Sequence, residues 1–196
     1  EISKWYGWKA SVTYVSVGDD RVDPISPSFT EEELKNGFWF TELAGPINGD
    51  NGVTYGYTTD GAVMTPFTEY DHAGKNWFHG ADGLLVRPVE NAGDFYAQAG
   101  TSEREAVVMC YEAPADGKID LRNWTALHSG DAYKIKIALR SMSNVVRSYQ
   151  ATGAVDAITD KSFTLNVEEG ERVYLIYQAL TPRNGAWFGT KTRVSY

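Results

Sequence analysis

Tyr133-Lys134-Ile135-Lys136-Ile137-Ala138-Leu139 and then Phe163-Thr164-Leu165-Asn166-Val167 alternate apolar with polar or small residues. Successive side chains of a strand point to opposite faces, so this period of two describes strands with one buried and one wet face. Glu168-Glu169-Gly170-Glu171 then turns the chain into Arg172-Val173-Tyr174-Leu175-Ile176-Tyr177. Thr181-Pro182-Arg183-Asn184-Gly185-Ala186-Trp187-Phe188-Gly189 follows, and its Pro, Asn and Gly predict a loop carrying two large aromatics.

Upstream, Gly, Pro, Asn or Asp clusters interrupt apolar runs about every ten residues. That rhythm predicts an all-β chain. The expected fold is a single antiparallel β-sandwich, jelly-roll-like, with residues 1–196 as one domain. Residues 11–17 read as a first strand closed by Gly18-Asp19-Asp20. Thr30-Glu31-Glu32-Glu33 is a capping box, and Gly37 suits a C-cap, so one short helix is expected over residues 30–36. Phe38-Trp39-Phe40 and residues 54–58 read as strand pieces. Asp60-Gly61 predicts a hairpin turn into Ala62-Val63-Met64. Trp77-Phe78 and Leu84-Leu85-Val86 are further strands, and residues 88–103 read as a long loop. Residues 106–111 hardly alternate, which predicts a central strand buried on both faces. Ala113-Pro114-Ala115-Asp116-Gly117 turns it into Lys118-Ile119-Asp120-Leu121-Arg122.

The 196 residues carry a formal charge of −8, with a pI near 4.9 and no run of basic residues. Nucleic acid and anionic membrane surfaces both need Lys/Arg clusters, so neither is an expected partner. Lys191 and Arg193, with Arg183, form the nearest thing to a cation cluster. No apolar stretch reaches the length of a transmembrane helix. One cysteine, Cys110, sits in the apolar run Val107-Val108-Met109-Cys110-Tyr111 and reads as a small buried hydrophobe. The chain opens at Glu1, which fits an excised module. Aromatics make up 13% of the chain, and their high strand propensity makes core filling the plain reading of any one of them.

The segment from about 77 to 196 resembles the non-catalytic β-sandwich carbohydrate-binding modules of secreted bacterial polysaccharide-degrading enzymes. The likeness runs through Trp77 and through Val107-Val108 leading to Glu112-Ala113-Pro114-Ala115-Asp116-Gly117-Lys118-Ile119. It continues in Ser129-Gly130-Asp131-Ala132-Tyr133-Lys134-Ile135-Lys136-Ile137 and in Phe163-Thr164-Leu165-Asn166-Val167-Glu168-Glu169-Gly170-Glu171-Arg172-Val173-Tyr174-Leu175. It implies a polysaccharide ligand, a linked catalytic module and an extracellular or cell-surface bacterial location. One departure stands out. Such modules often carry an Asp in the loop after the last hairpin, and here that loop reads Asn184-Gly185-Ala186-Trp187-Phe188-Gly189.

A sugar ring packs its C–H face on an aromatic plane, while its hydroxyls bond to Asn, Asp, Arg or Gln. Trp187, beside Arg183 and Asn184, is the first candidate for such a site. Trp77, following the polar loop 71–76, is the second. Tyr55 and Tyr57, two apart on one strand face, could form a platform, and Trp124 follows Arg122-Asn123. Burial in the core is the competing reading for each. Trp5, Tyr6 and Trp8 read as a staple for the N-terminus. Adsorption of this kind requires no cofactor. A structural calcium is compatible with the oxygen-rich loop Asn48-Gly49-Asp50-Asn51-Gly52, and less so with Asp19-Asp20. His72, His79 and His128 lack metal-site spacing, and no catalytic signature such as HExxH or GxSxG occurs. The competing functions are a β-sandwich polysaccharide lyase or glycosidase, with Tyr174, Tyr177, Lys134 and Lys136 as a conceivable lyase cluster, and a structural or adhesion domain. Asn123-Trp124-Thr125 also forms a glycosylation sequon.

Overall fold

The computed structural model describes residues 30–40, 48–49, 52–71, 76–79, 84–88, 95–98, 104–127, 132–154, 157–181 and 187–196; in strands, the side chains of 70–71, 76–79, 84–88, 95–98 and 187 fall outside that description. The expected strand at 11–17, the N-terminal aromatics and Asp19-Asp20 lie outside the described residues.

The described residues build an all-β sandwich of two antiparallel sheets and, among them, one short helix, α1, over Glu31–Asn36. The first sheet contains β1 (Phe38–Trp39), β4 (Glu69–Asp71), β5 (Asn76–His79), β6 (Leu84–Pro88), β7 (Phe95–Gln98), β9 (Gly117–Leu127), β12 (Ile158–Val167) and β14 (Trp187–Ser195). Its order is β12-β9-β14-β7-β6-β5-β4, and β1 pairs with the far end of β14. The second sheet contains β2 (Val53–Thr58), β3 (Thr65–Pro66), β8 (Ala106–Glu112), β10 (Tyr133–Leu139), β11 (Val145–Ala151) and β13 (Arg172–Ala179). It runs β11-β10-β13-β8-β2-β3.

The hydrophobic pattern explains this assembly. Ile119, Leu121 and Leu127 of β9 and Phe188 and Val194 of β14 turn inward. They meet Tyr133, Ile135 and Ile137 of β10 and Val173, Leu175 and Tyr177 of β13. All of these are at most 1% exposed, so the interior is dry and close-packed. The expected central strand is β8, buried from Ala106 to Tyr111 and flanked by β13 and β2. Its outward side chains Ala106, Val108 and Cys110 join Met142, Tyr174 and Ile176 in a second apolar cluster, against which Met64 packs.

The helix forms where the capping box lies. The amide of Glu33 donates to Thr30 Oγ1, and the Thr30 amide donates to Glu33 Oε2 at 2.8 Å. Gly37 ends it at φ 71°, in the left-handed region that suits glycine.

Three expectations are corrected, and one strand that the sequence reading did not name is added. Asp60-Gly61 does not lead directly into a strand at 62–64. Asp60 Oδ1 accepts from the amides of Ala62 and Val63 and from Thr58 Oγ1, so the chain loops outward. Pairing resumes only at Tyr57↔Thr65. Residues 88–103 contain β7, which pairs with both β6 and β14. The segment 145–151, whose apolar pattern is weak, is edge strand β11, held by β10. Trp187 and Phe188 do not sit in a free loop: they open β14, paired with Gln98 and Ala97.

Candidate functional site

The outer face of the first sheet gathers aromatics and cations in register. On β9, Asn123 and Thr125 are buried, so the pleat turns Arg122 and Trp124 outward. On β14, Thr190 and Thr192 are buried, so Lys191 and Arg193 turn outward. Trp39 stands between buried Phe38 and Phe40 and faces the same way. The pairing then lays two rows across the strands. One row is Asp160, Trp124 and Lys191; the other is Ser162, Arg122, Arg193 and Trp39. Neighbours within a row are about 4.8 Å apart, and the rows about 7 Å apart.

The side chains fill this lattice closely. The Trp39 and Trp124 rings lie 5.2 Å apart at 38°. The Arg122 guanidinium sits 4.2 Å over Trp124, and Lys191 Nζ sits 4.4 Å over Trp39. Arg193 approaches Trp39 at 5.8 Å and also donates to the Asn36 carbonyl at the end of α1. Arg122 grips Asp160 with two bonds, Nη2 to Oδ2 at 2.6 Å and Nε to Oδ1 at 3.1 Å. That guanidinium holds the Asp160 carboxyl below the ordinary aspartate range. Both tryptophans remain partly exposed. The result is a strip of two mutually tilted indoles bordered by guanidinium, ammonium and carboxylate groups. Such a strip can pack against a ring's C–H face while hydrogen-bonding to its substituents.

The helix cap fixes one end of this strip. The Tyr196 amide donates to the Leu34 carbonyl at 2.9 Å, tying α1 to the end of β14. Gly37 follows directly, and a Cβ there would meet the Val194 carbonyl oxygen at 2.5 Å. This tight passage sets β1 on β14 so that Trp39 falls opposite Arg193.

Of the residues that the sequence singles out, Trp124 is on this face. Trp187 and Trp77 lie on strands of the same sheet, β14 and β5, and their side chains are outside the description. Arg183 and Asn184 are outside the described residues. Tyr55 is corrected: it is 1% exposed, and its hydroxyl donates to the Phe40 carbonyl, so no ligand can stack on it. Tyr57 is half-buried against Phe67 on the second sheet, remote from Trp124. The Tyr55–Tyr57 platform therefore does not exist. Trp39, Arg122 and Arg193 were not singled out together because nothing local links residue 39 to residues 122 and 193. Only the β1–β14–β9 pairing does.

The sequon asparagine is also corrected. Asn123 is fully buried and shares its two Nδ2 hydrogens among Tyr177 Oη, Thr190 Oγ1 and Thr192 Oγ1, at 2.8–2.9 Å. Its Oδ1 accepts from Thr125 Oγ1 and from Tyr149 Oη. In the oxygen-rich loop 48–52, Asn48 is engaged by the protein. Its Nδ2 donates to the Tyr55 and Phe67 carbonyls and its Oδ1 accepts from the Tyr55 amide, so that side chain clamps β2. Asp50 and Asn51 lie outside the described residues. Among the described residues, no group of three or more His, Cys, Asp or Glu could hold a metal ion.

A second concavity, of about 350 Å³, lies on the outer face of the second sheet between Met64, Cys110, Met142 and Tyr174, with Arg140 and Arg172 at its rim. Burial pushes the Cys110 thiol up to about 12, which makes it a filler and not a nucleophile. Tyr177 belongs to the core and drops out of the conceivable lyase cluster, whereas Tyr174, Lys134 and Lys136 share the outer face of the second sheet.

No protein-family model matches the chain, and neither does any curated protein. Among solved structures it is similar to the C-terminal family 6 carbohydrate-binding module of LamC, a marine laminarinase from Zobellia galactanivorans. Identity is 17% and the TM-score 0.37, over 59% of this chain and 90% of that one. It is similar to a family 35 carbohydrate-binding module from Clostridium thermocellum, at 16% identity and a TM-score of 0.37, over 55% and 85%. It is also similar to an α-L-arabinofuranosidase, at 12% identity and a TM-score of 0.42, over 72% of this chain and 26% of that one. These likenesses concern the strand scaffold alone.

Proposed function

We propose that this chain is a non-catalytic carbohydrate-binding module that adsorbs to a polysaccharide through the outer face of its first sheet. One observation carries the reading: Trp39 and Trp124, 85 positions apart in sequence, are brought into contact in a strip edged by Arg122, Lys191 and Asp160. Two indoles turned toward solvent by paired strands add nothing to the core between the sheets. They do suit a flat ligand with alternating apolar faces and polar edges. The role proposed is targeting. An extracellular enzyme linked to the module would be held at its polymer, and its effective concentration there would rise. Affinity for one chain segment is expected to be weak, roughly micromolar to millimolar, because a shallow wet site gains little per ring.

Affinity electrophoresis through gels cast with soluble plant, algal and bacterial polysaccharides tests this, with and without EDTA. Retardation in at least one gel is expected. Trp124→Ala should weaken it about tenfold or more, equivalent to roughly 1.4 kcal/mol, with the circular dichroism spectrum unchanged. Retardation in none of the gels would favour a structural domain. Shortening of a polymer would favour an enzyme. Loss of retardation with EDTA would place a calcium ion in the site's support.

A further inference from the structure

We infer that the polymer held by this face is acidic, bearing carboxylate or sulfate groups; this rests on the reading of the face as a glycan platform. The chain carries 26 acidic residues against 18 basic ones, so cations are the minority charge. Three of them nevertheless converge on two adjacent rows of one sheet: Arg122, Lys191 and Arg193. Among the described residues of those rows Asp160 is the one carboxylate, and its bidentate pair with Arg122 balances both charges. Among the described residues Arg193 makes no ion pair; it leans on Trp39 and on a backbone carbonyl. Further along the strands Asp120 is occupied by Thr164 Oγ1 at 2.7 Å, and Lys118 follows it at the next outward position of β9.

The placement of these cations matters as much as their number. Here one face of Trp124 carries a guanidinium at 4.2 Å and one face of Trp39 an ammonium at 4.4 Å, so a sugar ring that reaches the indoles also meets a cation. A ligand approaching the strip meets positive groups braced on indole, which lose less side-chain freedom on holding an anion than loose side chains do. The protein's overall negative field repels a polyanion at long range. At about 0.15 M salt that field is damped within about 8 Å, so contact is governed by the local cations.

Binding is measured with matched pairs: polygalacturonate against its methyl ester, and dextran sulfate against dextran, with (dT)20 as the nucleic-acid probe. The acidic member of at least one pair should bind about tenfold or more tightly than its neutral partner. Which pair responds tells carboxylate from sulfate. Lys191→Gln/Arg193→Gln should lose that preference while keeping the fold, and Lys191→Arg should retain it. Because Arg193 also ties down α1, Lys191→Glu alone serves as a second variant and should reverse the preference. Equal binding within both pairs, or acidic binding indifferent to these variants, overturns the inference. So does (dT)20 binding as tightly as the acidic glycan. Neutral binding abolished by Trp124→Ala would leave the glycan platform standing without its acidic selectivity. Binding to no polymer would remove both.

Discussion

Asn123 has no access to water, and its polar neighbours come from both sheets: Thr190 and Thr192 on β14, Tyr177 on β13, Tyr149 on β11. A buried amide is tolerable only when its donors and acceptors are met, and here they are. Its removal leaves several hydroxyls without their common partner in a dry interior. Asn123→Ala is therefore expected to cost about 3 kcal/mol, read as a lower urea midpoint with an unchanged slope. A loss under about 0.5 kcal/mol would show that the hydroxyls re-pair among themselves. The same residue explains why Trp124 faces outward: with Asn123 and Thr125 locked inside, the pleat leaves residue 124 only the wet side.

At the scale of elements, α1 is too short to be stable alone, and its caps and its docking on β14 hold it. Gly37 is the joint. A Cβ there faces two penalties, a left-handed φ of 71° and a 2.5 Å approach to the Val194 carbonyl. Gly37→Ala should destabilise the protein by roughly 2 kcal/mol. It should also shift β1 on β14 and so separate Trp39 from Trp124. Near-ultraviolet circular dichroism, which senses paired indoles, is the readout, and an unaltered spectrum would disprove that coupling. The helix and its caps were legible in residues 30–37 of the sequence. The site end of the same element was not, because the β1–β14 register is a contact between residues 38–39 and 193–194.

For the molecule as a whole, the notable titrating groups of the core are tyrosines. Burial raises the phenol of Tyr55, and likewise those of Tyr111, Tyr149 and Tyr177, above the ordinary value near 10. A folded-state value above the unfolded one means stability that is complete below about pH 10 and lost as pH climbs beyond it. Alkali should thus unfold the protein cooperatively, with tyrosinate absorbance at 295 nm rising in two stages. Exposed phenols ionise first, and the buried ones only together with loss of the far-ultraviolet signal. A single titration near pH 10 with the fold intact would contradict this packing.

The sequence by itself determined the class of fold, a short helix expected at 30–36, the buried central strand expected at 106–111 and the burial of Cys110. Each depends on local chemistry: a period of two, a capping box, an unbroken apolar run. It also picked out Trp124. Only the tertiary structure decided which aromatics meet. Tyr55 and Trp124 are both aromatics on amphipathic strands, and local sequence does not say which face of a two-sheet stack will be covered. That outcome depends on pairing between strands up to about 150 residues apart. Through it Tyr55 went into the core, Trp39 was set beside Trp124, and the scattered cations Arg122, Lys191 and Arg193 became one surface.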